Sequence, residues 1–138
     1  MLNIYNIFES VILEEKQLIT EGVSRQDVIE AINSNYRYKI LYQGERENKP
    51  EERLVDFYVV GRSKAGNDIA RVYQPFGFTT TYNSKWQLVR LDRILRMEKT
   101  GFRLGNKPID QYSTDIPPFN KNGDKSMTSV YHIKNFKI

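Results

Sequence analysis

The sequence predicts a mainly β chain with N-terminal helices (α+β), in which a small closed antiparallel barrel follows two helices and precedes an extended C-terminal tail. Three observations lead there. Apolar residues recur at three- and four-residue intervals before Tyr36 and at every second residue after it. Four or five short strands, linked by turn-forming residues, fill about sixty positions, which suits a barrel better than a many-stranded sandwich. The helices precede the strands rather than alternating with them, which argues against parallel βαβ architecture.

From Leu2 to Ile19 the apolar positions Ile4, Tyr5, Phe8, Val11, Ile12, Leu18 and Ile19 form one stripe, with Asn3, Asn6, Glu9, Ser10, Glu14 and Gln17 between them. This spacing predicts an amphipathic helix. Ile7 and Leu13 lie outside the stripe and are candidates for docking another protein chain, against the plainer reading of scattered surface residues. Gly22 supplies a stop. Ser24 then reads as an N-cap with Asp27 three residues on, an acidic variant of the capping box, and Val23 and Val28 are spaced as a hydrophobic staple. The second helix is expected from about Arg25 to Ser34, with Val28, Ile29 and Ile32 inward.

Tyr36, Tyr38, Ile40 and Tyr42 alternate with Arg37, Lys39 and Leu41, the mark of a half-buried strand. A polar loop from Gly44 to Glu52 leads to a second strand, Arg53 to Val60, with faces Leu54/Asp56/Tyr58/Val60 and Val55/Phe57/Val59. Ser63 to Asn67 carries hairpin-turn chemistry before a third strand, Asp68 to Gln74. Thr79 to Tyr82 suits a short strand, and Trp86 to Leu95 reads as the longest one. Beyond Gly101 the composition turns irregular, with Pro108, Pro117-Pro118 and Asn120 to Asp124, until Ser129 to Phe136 offers a last apolar stretch. The expected division is 1–22 as a helical arm, 23–100 as the barrel with its leading helix, and 101–138 as a tail packing on the barrel or on a partner.

A chain of 138 residues with 39% apolar content holds one core of ordinary size, so global disorder is improbable. There is no cysteine, which excludes disulfides, thiol nucleophiles and thiolate metal sites. His132 is the only histidine, so a multi-histidine metal centre is excluded as well. No metal and no cofactor are expected. Gly101 to Lys107 has the wrong spacing for a phosphate loop, and Pro108 stands where the hydroxyl belongs. Asp56, Asp68 and Asp92 are separate in sequence, and nothing pairs them for acid–base work. An enzyme is therefore not expected. No segment reaches the length of a membrane span and the N-terminus lacks a signal-peptide pattern, so the expected location is the cytoplasm.

The net charge is +4, and its distribution is uneven. Residues 1–24 carry Glu9, Glu14, Glu15 and Glu21 against Lys16, so the body is basic and the arm acidic. The densest charge inside an apolar run is Arg90-Leu91-Asp92-Arg93. If Val89 and Leu91 face the core, Arg90 and Asp92 face outward, and Arg93 begins a bend that returns Ile94 and Leu95 inward. Asp92 would then orient a guanidinium whose second edge meets phosphate. Arg71, with Tyr73 beside it by alternation, and Trp86 complete the candidate ligand or nucleic-acid site, since aromatic faces stack bases while arginines meet phosphates. The competing reading is an ion-pair latch, with Trp86 a core anchor and Arg71 a solvated strand residue.

The order and spacing of Arg37-Tyr-Lys-Ile-Leu-Tyr42, Arg53-Leu-Val55 and Val89-Arg-Leu-Asp-Arg-Ile94 resemble the motifs of WYL domains, small barrels of the Sm/SH3-like type. The likeness covers roughly residues 28 to 100, two-thirds of the chain at most. The Trp-Tyr-Leu triplet that names the family falls here on Asp68-Ile69-Ala70. The short form, with its N-terminal helix and Tyr73-Gln-Pro-Phe-Gly77 segment, is most similar to WYL-like proteins of tailed bacteriophages. The resemblance implies a non-catalytic module that binds nucleic acid or a nucleotide-type ligand through basic residues, as a regulator or sequestrant in the host cytoplasm. The alternative is a virion or interaction protein whose barrel is scaffold, with the N-terminal helix and the tail docking onto protein partners or onto a second copy.

Overall fold

The structure, a computed structural model, describes residues 22–75, 85–104 and 117–134. Ser24 caps the helix α1 (Arg25–Ser34): its Oγ accepts from the Asp27 N–H at 3.1 Å, and Asp27 accepts in return from the Ser24 N–H at 2.8 Å. Asn35 ends the helix with φ 64°, a left-handed conformation that asparagine tolerates better than most residues. Val28, Ala31 and Ile32 on one stripe of α1 are buried.

The chain then forms β1 (Tyr36–Tyr42), β2 (Glu51–Ser63), β3 (Asp68–Tyr73), β4 (Trp86–Arg90), a 3-10 turn over Leu91–Arg93, β5 (Ile94–Arg103), β6 (Phe119–Asn120), β7 (Gly123–Asp124) and β8 (Met127–Ile133). The main sheet runs β4-β3-β2-β1-β5, all antiparallel, with β8 paired to β2. β6 and β7 form a separate two-stranded hairpin.

This architecture corrects the expected fold class. Among the described residues there is one helix rather than two, and the helix expected over Leu2–Ile19 lies outside them. The sheet is open rather than a closed barrel, because its terminal strands β4 and β5 do not pair with each other. Closure needs the two ends of the path to exchange backbone hydrogen bonds. Here the 3-10 turn carries the chain from β4 at one end directly to β5 at the other, and the pairing stops there. The run read as one strand, Trp86 to Leu95, is broken by that same turn, and Leu95 is 42% exposed rather than inward.

The long strand is β2, and it serves two neighbourhoods. Its first half, Glu51 to Val55, pairs with β1; its second half pairs with β3, and from Val59 to Ser63 also with β8. The register with β3 shifts between Phe57 and Val59. Strict alternation therefore fails at Tyr58: Val55, Phe57 and Val60 enter one core, while Tyr58 and Val59 both enter the other. An extra residue in a strand reverses its facing in this way.

The larger core lies between α1 and one face of the sheet, where Ile32, Ile40, Phe57, Val72, Ile94 and Met97 are almost fully buried. The smaller core lies on the other face. Tyr58, Val59, Tyr73 and Trp86 pack there under Phe119, Met127, Val130 and Ile133, so residues of the predicted tail supply its cover.

Candidate functional site

Val89 and Leu91 are buried, and Arg90 between them turns outward as alternation requires. Its Nε and Nη2 donate to the two oxygens of Asp92 at 3.0 and 2.7 Å, and its Nη1 donates to Glu45 at 2.9 Å. Two carboxylates thus occupy three of its nitrogens. The Arg90 guanidinium holds the Asp92 carboxyl below the usual carboxylate range, and the hydrogen bond from Arg90 is the leading cause.

Arg93 sits in the turn beside the loop that follows β1. Its Nη1 reaches the carbonyls of Gln43 and Gly44 at 3.4 and 3.5 Å, long for hydrogen bonds, and its Nε is buried with no partner among the described residues. Its own carbonyl accepts from the Gln43 N–H. The loop is further held by Glu47, which accepts from the Gly44 N–H and from Arg53.

Arg71 is inside the protein. Its Nε and Nη2 donate to Asp124 at 2.9 and 3.0 Å, and Nη2 also reaches Ser126 at 3.1 Å. Both side chains of this pair are nearly inaccessible. Tyr73 and Trp86 face each other across β3 and β4, with ring centroids 5.0 Å apart. Tyr58 and Phe119 close the cluster at 5.1 and 5.3 Å from Trp86, which is only 3% exposed. Arg71, Tyr73 and Trp86 therefore do share a face, as read from the sequence, with hairpin residues lying over it. Arg90 aligns with Ile69 on β3, two positions along from the Arg71–Leu88 pair, but it has its own separate carboxylates.

The sequence reading missed a second buried pair. Asp56 is fully buried on β2 and accepts from Arg37 Nε and Nη2 at 2.8 and 3.1 Å. Burial pushes the Asp56 carboxyl up, while Arg37 and then Lys134 pull it back. Arg37 also lies 4.3 Å from the Phe102 ring centroid. Lys134 donates to the Ile32 carbonyl at 3.2 Å, and burial pushes its ammonium down. The legible signal was a single aspartate within an apolar run, which a folded chain buries only with a partner. Asp124 gave no such signal, because it stands among polar turn residues.

Each of the three aspartates weighed for acid–base work has an arginine: Asp56 has Arg37, Asp68 has Arg25, and Asp92 has Arg90. His132 Nε2 lies 2.7 Å from Asn33 Oδ1 and joins β8 to α1. Among the described residues no group of His, Asp and Glu could hold a metal ion, and no helix is long and apolar enough to cross a membrane. An open groove of about 650 Å³ runs along the hairpin, lined among others by Pro118, Asn120 and Lys125. Ile7 and Leu13, the candidate docking residues, lie outside the described residues. No family profile, no curated protein and no solved structure matches the chain.

Proposed function

We propose that this chain is a non-catalytic protein-interaction module: a β body whose acidic, apolar N-terminal segment docks onto other protein chains, as a virion component or adaptor would. The observation that carries this reading is the internal pairing of the strongest candidate cations. Arg71 spends its fork on Asp124, and Arg90 spends its own on Asp92 and Glu45. A guanidinium so engaged has its charge already balanced by carboxylates, so a further anion has little to gain there. The acidic, apolar arm of residues 1–24 and the resemblance to short WYL-like phage proteins support the same reading. Deleting residues 1–20 is expected to abolish self-association or partner capture in light scattering and pull-down. Unchanged behaviour would remove the proposal.

A second reading rests on Arg93. Its guanidinium makes only long contacts to two carbonyls, in a body of net positive charge, and among the described residues it is the candidate arginine with no carboxylate partner. Recognition of a nucleotide-type anion or single-stranded nucleic acid would centre there. It predicts oligonucleotide binding that weakens steeply with salt and is lost in Arg93→Ala protein that remains folded.

A further inference from the structure

The face that the sequence marks as a ligand site, Arg71 with Tyr73 and Trp86, is covered by residues 117–126, and the way they are attached distinguishes them from the rest of the fold. The hairpin pairs its backbone with itself, Phe119 with Asp124 and Asn120 with Gly123, and the Lys125 N–H closes onto the Pro118 carbonyl. No backbone hydrogen bond joins it to the main sheet among the described residues. Three side chains anchor it, and one of them is Ser126, whose Oγ accepts from Arg71 Nη2 at 3.1 Å. The Asp124 carboxylate grips Arg71 through two parallel hydrogen bonds, and the Phe119 ring packs against Trp86 and Tyr58. Asn120, Lys121, Asn122 and Lys125 are exposed. The next segment is built differently: β8 pairs with β2 from Val59 to Ser63, and the Lys134 N–H donates to the Tyr58 carbonyl.

We infer that the hairpin is a detachable plug, and that the face beneath it is a docking groove for a peptide segment of a partner protein presenting the same two groups, an aromatic ring and a carboxylate at hairpin spacing. The proposal rests on the protein-interaction reading and names the chemistry of the partner. The occupant already seated there is its evidence, since a carboxylate and a ring of this chain's own satisfy the arginine and the aromatic wall together. Local opening is physically accessible. Lifting the hairpin returns Arg71 and Asp124 to water together, so neither is left buried without a partner, and few backbone bonds break. Opening takes Asp124 from Arg71 and the Phe119 ring from Tyr58 and Trp86, while Met127, Val130 and Ile133 of β8 stay on the cluster.

Trp86 is the only tryptophan of the chain and reports directly on the groove. In full-length protein carrying Phe119→Ala and Asp124→Ala, Trp86 emission should shift to the red and become open to acrylamide while circular dichroism keeps its sheet signal. Adding a peptide of residues 117–126 should restore the blue emission saturably. The same peptide with Phe119→Ala and Asp124→Ala should bind roughly tenfold or more weakly. A shielded Trp86 in the double variant overturns the proposal, as does restoration by a single-stranded oligonucleotide and not by the peptide. If the double variant does not fold, hydrogen exchange of the unmodified protein decides: amides of 119–126 should exchange roughly a hundredfold faster than those of Val59–Gly61, and equal rates overturn the plug. The arm deletion described above tests the interaction reading separately, so the groove can fail while arm-mediated association stands.

Discussion

At the scale of single residues, the molecule sets Arg37, Arg71 and Arg90 against carboxylates where they enter apolar runs. Asp56 and Arg37 are the buried instance most open to measurement. Arg37→Ala leaves a carboxyl inside the fold with Lys134 as its remaining cation, and breaking a buried pair from one side costs about 3–5 kcal/mol. The pH dependence has a definite sign. Burial already raises the Asp56 carboxyl above its usual value, so its protonated form is favoured in the fold. Stability from such a group is present below the unfolded pKa and lost as pH rises through the folded one. Removing Arg37 raises the folded value further, so the variant should be weakest near neutrality and approach the parent as pH falls toward about 4. Urea midpoints at about pH 4 and about pH 7 check this; a deficit equal at both would contradict it.

At the scale of elements, α1 and β8 are the pieces whose positions depend on identifiable local chemistry. Ser24→Ala removes the cap on α1 and should cost about 0.5–2 kcal/mol in thermal or urea unfolding. Gly61 lies where β8 crosses β2, and a Cβ there would collide with the Ser129 carbonyl and lie 2.6 Å from Met127 Sδ. Gly61→Ala should therefore loosen β8, raise hydrogen exchange over Met127–Ile133 and cost roughly 1–3 kcal/mol, whereas unchanged exchange would show that β8 accommodates the methyl group. The same elements show what the sequence could and could not tell. α1 was legible to the residue because Ser24, Asp27 and the apolar stripe act within one turn. β1 was legible because one face is buried and one is wet. The facing of β2 was not, since its bulge at Tyr58 answers to β3 and β8, which are distant in sequence. Nor was the length of β5, because Arg96, Glu98 and Arg103 look like loop residues until β1 is seen to pair with them.

At the scale of the whole molecule, one open sheet carries two cores, and its second face is completed by the C-terminal residues 117–134. That dependence explains why the candidate site was only half visible. Alternation put Arg71 beside Tyr73, and Trp86 was a further aromatic candidate, whereas the carboxylate that satisfies Arg71 comes from 53 residues away and the ring that covers Trp86 from beyond the strand run. The closed barrel was a natural expectation from strand number and turn spacing, and the 3-10 turn from β4 into β5 leaves the ends unpaired instead. The central claim is that Arg71 and Arg90 serve the fold and not a polyanion. A fluorescence anisotropy titration of a labelled single-stranded oligonucleotide with the full chain, from low to physiological salt, tests it most directly. The account predicts no saturable binding that depends on Arg71 or Arg90; saturable binding that falls steeply with salt and weakens in Arg90→Ala protein of unchanged stability would contradict it.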